Sequence, residues 1–307
     1  MVKSEAFIGI DIGGTKTAIS VGNNTGVVLE KKSFPTDRDL SRTLDTIYSE
    51  VTVYIQKHGQ NITAIGISCG GPLDSEKGII QSPPNLPGWD DVPIVNLLEK
   101  QFSIPAFIEN DANACALAEW RYGAGLGCRN MIFLTFGTGF GAGLILDGKL
   151  YRGASGLAGE VGHIRMSDSG PLGYGKHGSL EGWCSGGGLS EAYFDMYGER
   201  ISGGEVCIRA EHGNENACKV IEKSAFILGR FLAILIDIIN PDRIVIGSIF
   251  ARSEVLFRNT IEEIIRKECL PQTASVCSLH PSRLGELLGD IAAISVAANG
   301  MEQRPAH

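Results

Sequence analysis

The chain has 307 residues, and 43 % of them are apolar, which is enough to fill a core. Its 27 basic and 35 acidic side chains give a net charge of −8, and 40 residues are glycine, about twice the usual share of ~7 %. These values exclude a disordered chain, a collagen-like fibre and a coiled coil. An acidic chain lacks the broad positive field that attracts nucleic acid. The length favours one large or two medium domains.

The start of the chain and its cysteines indicate the compartment. The first residues, MVKSEAFIGIDIGG, contain acids at Glu5 and Asp11 and no apolar signal core. The longest apolar-rich segment, residues 225–239, is interrupted by Arg230 and Asp237 and is too short to span a membrane. Eight scattered cysteines without a C-x-x-C pair indicate reduced, buried thiols. We therefore expect a cytoplasmic protein without a membrane or nucleic-acid partner.

In the first half of the chain, strands alternate with helices. The predicted elements are strands at 7–12, 17–21 and 27–33, a helix at 40–58, a strand at 64–68, a helix at 92–102, a strand at 106–109 and a helix at 113–122. Apolar residues at helical spacing support the helix at 40–58, and an Asn-Asn-Thr-Gly turn predicts a hairpin between the second and third strands.

The second half begins with the same pattern. The predicted elements are strands at 130–135, 142–146 and 149–151, a helix at 217–239, a strand at 243–246 and helices at 255–267 and 287–298. Both halves therefore contain a strand, a Gly-Thr turn, a strand, a tight turn and a strand. This internal repeat favours two related lobes with a cleft between them. Residues 153–188 are predicted to form a long Gly-rich connection.

An acid, two glycines, a hydroxyl and a lysine occur together in Ile10-Asp11-Ile12-Gly13-Gly14-Thr15-Lys16. A charge inside an apolar strand is costly unless it has a partner. Backbone N–H groups of such a turn can hold phosphate oxygens, and an adjacent Asp can hold hydrated Mg²⁺. A plain hairpin turn capped by Asp11 is the alternative interpretation.

A second glycine turn, Gly137-Thr138-Gly139, also follows a predicted strand, and it is either a second phosphate cradle or a common structural turn. Two segments, 143–149 and 170–176, fit G-x-x-x-x-G-K but are followed by Leu150 and His177 instead of Ser or Thr. A P-loop is therefore excluded. A dinucleotide fold lacks its main support, because no well-placed G-x-G-x-x-G is present.

Two further groups of polar residues are candidates for chemistry. In Glu109-Asn110-Asp111-Ala112-Asn113, a predicted strand runs into a helix, so a carboxylate there can accept a proton and an Asn can fix a substrate, unless the segment is only a helix cap. Glu160 and His163 are close enough in sequence to reach one ligand, and Glu181 follows them. A surface loop is the alternative. The spacing of His163, His177 and Cys184 matches no usual zinc pattern.

Together these residues resemble the ROK family of bacterial sugar kinases and repressors, and the resemblance covers residues 6 to 300. The segments that carry it are Ile8–Lys16, Gly70-Gly71-Pro72-Leu73-Asp74, Asn85-Leu86-Pro87-Gly88-Trp89, Glu109–Asn113, Gly137-Thr138-Gly139, Gly159–His163 and Glu181.

The resemblance implies an α/β fold with two lobes, the actin-like, ribonuclease-H-like ATPase fold with a central cleft. The N-terminal lobe would comprise residues 1–118, with the helix at 287–303 packing back on it, and the C-terminal lobe residues 119–286. The implied activity is transfer of the γ-phosphoryl group of ATP to a hexose, usually at the 6-hydroxyl, as in a glucokinase. Glucose or a close hexose is the expected substrate, with N-acetylmannosamine, N-acetylglucosamine, fructose and allose as alternatives. A homodimer is expected.

The resemblance also implies the roles of individual residues. Asp111 would be the catalytic base. The sugar would contact Gly71, Asn85, Asn110, Asp111, Glu160, His163 and Glu181. ATP would contact Asp11, Gly13, Gly14, Thr15, Lys16, Thr138, Gly139 and Gly247. Asp11 would position Mg²⁺ through water.

The sequence departs from the family at the zinc module that usually follows the Glu-x-Gly-His segment. Alignment on Glu181 places Leu172, Tyr174 and Ser179 where the family has cysteines. We therefore expect no structural zinc, because three soft ligands are missing. A second departure is Ser248, where the family often has glycine.

Two other functions remain as alternatives. A sugar-binding relative with little kinase activity is suggested by the missing zinc ligands. A repressor of the same family is disfavoured, because the first predicted strand starts near Phe7 and leaves no room for a helix-turn-helix domain, and because the chain is acidic.

Overall fold

The computed structural model describes residues 5–304, which divide into two compact units. The first unit contains residues 5–126 and 284–304, and the second contains residues 127–283.

The first unit is built on a five-stranded sheet. Its elements up to residue 126 are β1 (Ala6–Ile12), β2 (Lys16–Asn23), β3 (Val28–Pro35), α1 (Leu40–His58), β4 (Ile62–Cys69), β5 (Leu73–Asp74), β6 (Ile79–Ile80), α2 (Ile94–Phe102), β7 (Ala106–Asn110) and α3 (Asp111–Tyr122). The strand order is β3-β2-β1-β4-β7, in which β1, β4 and β7 are parallel and β2 and β3 form an antiparallel meander with β1. Strands β1 and β4 are buried almost throughout, as parallel strands covered on both faces are.

The second unit repeats this sheet. Its elements are β8 (Met131–Phe136), β9 (Phe140–Leu146), β10 (Lys149–Tyr151), β11 (Leu172–Gly173), β12 (Lys176–His177), α4 (Leu180–Trp183), α5 (Gly186–Tyr197), α6 (Gly203–Glu211), α7 (Glu215–Ile239), β13 (Arg243–Ile246), α8 (Ile249–Arg252), α9 (Glu254–Glu268), α10 (Pro271–Val276) and β14 (Ser278–Pro281). The order β10-β9-β8-β13-β14 has the same pattern of parallel and antiparallel neighbours as the first sheet. The predicted internal repeat is therefore confirmed.

The last helix, α11 (Leu288–Gln303), returns to the first unit and packs against β1, β4 and α3. It lies so close to the sheet that a Cβ at Gly66 of β4 would be 2.0 Å from the backbone oxygen of Ala293. Only glycine permits this approach. As a result α11 is buried along most of its length, including the polar residues Asp290 and Asn299.

The boundary predicted between residues 118 and 119 lies inside α3, whereas the two units meet in sequence at Leu126–Gly127 and Arg283–Leu284. The carboxylate of Glu119 explains why the chain stays with the first unit beyond residue 118. It is fully buried and accepts hydrogen bonds from the backbone N–H groups of Ala124 at 2.7 Å and Leu284 at 3.0 Å.

The predicted connection at 153–188 contains more structure than expected, because the hairpin of β11 and β12 and helix α4 lie inside it. Helices α5 and α6 were also not predicted. Helix α5 begins with three glycines, which are poor helix formers, and starts there because the Ser185 hydroxyl accepts a hydrogen bond from the N–H of Gly188. Across residues 5–304, no helix is long and apolar enough to cross a bilayer.

Candidate active site

In the first unit, the turn between β1 and β2 contains the predicted phosphate residues Gly13, Gly14, Thr15 and Lys16. The N–H of Gly13 donates to the carbonyl of Lys16 at 3.0 Å, which closes the turn. Thr36 holds it from outside the hairpin, since its Oγ1 donates to the carbonyl of Gly13 at 2.7 Å and its N–H donates to that of Thr15 at 3.0 Å. Gly14, Thr15 and Lys16 are exposed, so this turn can be approached by a phosphate.

The predicted sugar residue Asn85 lies against this turn. A Cβ at Gly14 would be 2.4 Å from the backbone oxygen of Asn85, so glycine is required there for the two segments to touch. The amide of Asn85 also lies beside Gly70, next to the predicted residue Gly71. The structure thus brings together three segments that the sequence places far apart.

The carboxylate of Asp11 occupies one row of side chains with Ser68 and Glu109, because these residues are register partners on the parallel strands β1, β4 and β7. Burial, followed by repulsion from the carboxylates of Asp290 and Asp111, raises the pKa of Asp11 to about 6, although a hydrogen bond from Ser68 acts in the opposite direction. Asp11 and Asp111 are therefore electrostatic neighbours within the first unit.

Sequence reasoning missed Asp290 and its partner Lys31. Asp290 is only 2 % exposed, and its Oδ2 accepts a hydrogen bond from the Lys31 ammonium at 2.5 Å. A Cβ at Gly289 would lie 2.7 Å from Oδ2 of Asp11, so the first turn of α11 lies against that carboxylate. The available signal was an acid within an apolar helix, the same signal that identified Asp11.

The segment Glu109–Asn113 contains both buried and exposed side chains. Asn110 is the N-cap of α3, since its Oδ1 accepts from the N–H of Asn113 at 2.7 Å, and Asp111 Oδ1 accepts from the N–H of Ala112 at 2.8 Å. Asp111 is exposed, whereas Glu109 is buried and accepts a hydrogen bond from the Asn113 amide at 3.2 Å. The N-cap of α3 is therefore Asn110, whereas the helix-cap interpretation favours Asp111 for that role, and the Asp111 carboxylate lies at the surface.

Asp11 has the chemistry of a Mg²⁺ site. Mg²⁺ is commonly held by one or two carboxylates together with substrate phosphates and water. Repulsion from Asp290 and Asp111 opposes ionisation of Asp11, and a nearby cation would relieve that repulsion. No group of three His, Cys, Asp or Glu side chains suited to a metal occurs in the described part of the chain. The donor set therefore fits a hydrated ion shared with phosphates and not a site closed by protein ligands.

In the second unit, the turn of Gly137, Thr138 and Gly139 is held by backbone and side-chain bonds. The N–H of Gly137 donates to the carbonyl of Gly139 at 3.1 Å, and that of Gly186 donates to the carbonyl of Gly137 at 2.8 Å. The predicted sugar residue Glu181 accepts from the N–H of Phe140 at 3.0 Å. Thr138 is exposed at the tip of this turn.

The predicted adenosine residue Gly247 is buried at the end of β13, where its N–H donates to the carbonyl of Leu134 at 2.9 Å. Ser248 follows with a φ of +55° and lies beside Gly137. The structure thus places Gly247 and the Gly137–Gly139 turn at neighbouring strand ends of one sheet, β13 and β8.

Glu160 and His163 form an exposed cluster with Tyr174, which sequence reasoning named only as a missing zinc ligand. The hydroxyl of Tyr174 donates to Glu160 Oε2 at 3.0 Å, and its ring meets the His163 ring edge-on with centroids 5.5 Å apart.

The other two positions where the family has cysteines take different roles. Leu172 is 53 % exposed, and Ser179 is fully buried. The Ser179 hydroxyl donates to the carbonyl of Gly173 at 2.9 Å and accepts from the N–H of Gly182 at 3.1 Å. Hydrogen bonds therefore connect the β11–β12 hairpin to α4.

The predicted site residues fall into two sets, one in each unit. The first unit holds Asp11, Gly13, Gly14, Thr15, Lys16, Gly71, Asn85, Asn110 and Asp111. The second unit holds Thr138, Gly139, Glu160, His163, Glu181 and Gly247. Within each unit, residues from distant parts of the sequence lie at the ends of neighbouring strands or in the loops that follow them.

Comparison with known proteins gives a consistent result. Residues 7–298 match the model of the ROK family. A glucokinase of Halalkalibacterium halodurans is 29 % identical over 309 residues, covering 93 % of this chain and 92 % of the relative. Relatives named as xylose repressors match as well.

Two solved structures resemble the whole chain. A ROK hexokinase from Thermus thermophilus superposes with a TM-score of 0.88 at 30 % identity, covering 97 % of this chain and 100 % of that one. A ROK-family glucokinase from Streptomyces griseus, solved with glucose and AMPPNP, superposes with a TM-score of 0.78 at 29 % identity, covering 96 % and 100 %. The expected α/β fold of the actin-like, ribonuclease-H-like kind is therefore confirmed.

Proposed function

The chain belongs to the ROK family, and we propose that it is an ATP-dependent hexose kinase that transfers the γ-phosphoryl group to the 6-hydroxyl of glucose or a close hexose. One observation carries this proposal. The carboxylate of Asp11, beside the phosphate-type turn, and the carboxylate of Asp111, the candidate base, are close enough for Asp111 to raise the pKa of Asp11. Phosphoryl transfer requires this proximity between a phosphate site and a base.

In the proposed reaction, Asp111 accepts the proton of the attacking sugar hydroxyl. Its exposure and its place at the first position of α3 suit that role, and Asn110 beside it would hold the same sugar. The turn of Gly13, Gly14 and Thr15 would donate backbone N–H groups to phosphate oxygens, with Lys16 next to it. Thr36 keeps this turn in one conformation.

Asp11 would hold Mg²⁺ through water, and the ion would neutralise charge on the phosphates when bound. In the second unit, Thr138 and Gly139 would contact phosphate and Gly247 would lie near adenosine. Glu160, His163 and Glu181 would accept or donate hydrogen bonds to sugar hydroxyls, as Asn85 and Gly71 would in the first unit. These assignments follow the family resemblance. Of these residues, Asp11 lies near the end of β1 and Gly247 directly follows β13.

The identity of the sugar is part of the proposal. Glucose is favoured by the names of several relatives. N-acetylmannosamine, N-acetylglucosamine, fructose and allose are the alternatives, and single hydrogen bonds distinguish such sugars. A sugar-binding relative with little kinase activity is a second candidate, because Leu172, Tyr174 and Ser179 replace thiolates beside the sugar residues.

The decisive experiment is an ADP-release assay with ATP and Mg²⁺ over a panel of hexoses and N-acetylhexosamines. We expect turnover with glucose or one of its close relatives. Asp111→Asn should lower kcat by about 10²–10⁴-fold without unfolding the protein, because the hydroxyl proton loses its acceptor. Asp195→Asn, at an exposed acid on α5, is the matched control. Sugar binding without turnover would favour the second candidate, and full activity of Asp111→Asn would remove Asp111 as the base.

We also propose a cytoplasmic homodimer, as the resemblance implies. Sedimentation velocity over a range of concentrations tests the oligomeric state, with a single monomeric species as the contrary result.

A further inference from the structure

Tyr174 lies at the tip of the β11–β12 hairpin in a backbone conformation that does not suit it. Its φ is +52°, and that of the following Gly175 is +69°. Positive φ at both central residues of a hairpin favours Asn-Gly or Gly-Gly, and it disfavours a bulky side chain. A residue kept in such a conformation is commonly retained for the contacts it makes.

The contacts of Tyr174 are unusually specific. Its hydroxyl donates to Glu160 Oε2 at 3.0 Å, and its ring meets the edge of the His163 imidazole at an interplanar angle of 90°. A Cβ at Gly162 would lie 3.2 Å from Cε2 of Tyr174 and 2.2 Å from the backbone oxygen of Phe140, so only glycine lets this segment fit between them. One side chain thus contacts both Glu160 and His163.

All three side chains are exposed, and Tyr174 retains 49 % of its accessible surface. Burial in a core therefore does not account for the cluster, and a ligand can reach it. A carboxylate has two oxygens, and the Tyr174 hydroxyl uses one lone pair of Oε2. Oε1 and the remaining lone pair of Oε2 stay available as acceptors, which suits a hydroxyl or a vicinal pair of hydroxyls.

We infer that Tyr174 is a positioning residue for the sugar, which orients the Glu160 carboxylate and the His163 ring before the sugar binds. This inference rests on the proposed function, because it takes Glu160 and His163 as sugar contacts. Its physical basis is preorganisation: a long, exposed glutamate loses rotamer freedom on binding, and a tyrosine that restrains it in advance reduces that loss. The lysine that follows the turn, Lys176, donates a hydrogen bond to the His163 carbonyl at 2.9 Å.

The test separates the hydroxyl from the ring. Tyr174→Phe removes the hydroxyl, and with it the hydrogen bond to Glu160, but keeps the ring, and we expect KM for the sugar to rise about fivefold to tenfold, the size of effect expected for one exposed hydrogen bond. The values of kcat and of KM for ATP should stay within about twofold of the wild type. Tyr151→Phe, another half-exposed tyrosine, is the control and should change neither constant.

A second variant distinguishes positioning from hairpin stability. Asn tolerates positive φ, so Tyr174→Asn should keep or raise Tm while the sugar KM rises more than in Tyr174→Phe, because both contacts are lost. A merely structural tyrosine would give the opposite pattern, in which Tm falls and KM for ATP changes with KM for the sugar. That pattern would overturn the inference.

A double-mutant comparison identifies the partner. Glu160→Gln alone and Glu160→Gln with Tyr174→Phe should have similar sugar KM values, because the tyrosine hydroxyl acts through the carboxylate. Independent, additive effects would overturn the inference while leaving the kinase proposal intact. A wild-type protein that neither binds nor phosphorylates any hexose would overturn both.

Discussion

The two five-stranded sheets have the same topology, but the glycine turns that follow their first strands differ in charge. In the first unit, Asp11 stands two residues before Gly13, and it is half-buried near two other carboxylates. In the second unit, the neutral Thr135 holds the equivalent place before Gly137, and the carboxylate beside that turn, Glu181, accepts a backbone hydrogen bond.

The charged form of Asp11 therefore destabilises the fold, whereas the hydrogen bond that Glu181 accepts stabilises it. Ionisation of Asp11 is opposed by burial and by like charge, whereas the Glu181 side chain accepts a hydrogen bond from the N–H of Phe140. A carboxylate whose ionisation is unfavourable in the fold indicates that a ligand binds it. A carboxylate that accepts a backbone hydrogen bond indicates a structural role. Four experiments test this contrast, beginning with the largest expected effect.

Asp11→Asn should abolish most of the proposed kinase activity, with a loss of about 10²–10³-fold in kcat, since a group that acts on developing phosphate charge is removed. The same change should stabilise the protein near neutral pH. The pKa of Asp11 is about 6 in the fold against an ordinary value of 3.8. The stability that protonated Asp11 contributes is therefore complete below about pH 4 and is lost as the pH rises through about 6.

Urea unfolding at several pH values measures this effect. Relative to the wild type, Asp11→Asn should gain up to about 3 kcal/mol between pH 4 and pH 7, because Asn does not ionise. A difference in the free energy of unfolding that does not vary with pH would contradict the proposal that ionised Asp11 destabilises the fold. Added Mg²⁺ with a nucleotide should narrow the difference, because it stabilises only the ionised form.

Glu181 should show the opposite sign. Glu181→Ala leaves the N–H of Phe140 without its acceptor and should lower the free energy of unfolding by about 1–3 kcal/mol, whereas Glu181→Gln keeps an acceptor and should cost less. Both variants should raise the sugar KM, by about tenfold or more. If the Glu181→Ala protein is as stable as the wild type, the hydrogen bond from the N–H of Phe140 to Glu181 does not stabilise the fold.

Thr36→Val tests how far Thr36 stabilises the turn between β1 and β2, and its expected effect is smaller. It removes the hydrogen bonds of Oγ1 to the carbonyl of Gly13 and to the hydroxyl of Thr17 but keeps the bond from the Thr36 N–H to the carbonyl of Thr15. We expect KM for ATP to rise about threefold to tenfold and the free energy of unfolding to fall by about 1 kcal/mol. Thr46→Val, which removes an exposed hydroxyl bond to a carbonyl within α1, is the control and should leave KM unchanged.

The smallest expected effect is that of a zinc-selective chelator. With Mg²⁺ in excess, neither activity nor Tm should change, because hydrogen bonds of Ser179 connect the hairpin to α4 where the family has thiolates. Loss of activity that returns on adding Zn²⁺ would show that a metal supports this loop after all.

Local signals account for the parts of the fold that could be predicted. Helix α1 occupies the predicted residues, Leu40–His58, because Asp39 caps its start and Gly59 ends it with a φ of +58°. The β2–β3 hairpin and the glycine turns follow from similar short-range patterns, whereas the β11–β12 hairpin was not predicted. Helix α5 was missed because its three initial glycines oppose the helix that tertiary packing imposes.

Residues of the candidate site could be predicted only where they are next to a recognisable turn in the sequence. Asp11 and Asp111 each stand out as acids at a strand end. Asp290 is also an acid in an apolar segment, but its pairing with Lys31, 259 residues away in the chain, could not be predicted from that segment. Tyr174 was visible only as an exception to a metal pattern, and its bond to Glu160 depends on how the hairpin folds. Long-range pairing of this kind has no signature at the level of a single segment.

The return of α11 to the first sheet sets an order of events during synthesis. Gly66 leaves a groove that only this helix fills, and Asp290 and Gly289 bring its first turn to Asp11. The ribosome releases α11 only after the whole of the second unit. We therefore expect the core of the second unit to form while the face of β1 and β4 that contacts α11 is still exposed. The contact between α11 and Asp11 would then form last. A nascent chain halted before residue 288 would expose an apolar sheet face, which is a natural binding target for chaperones.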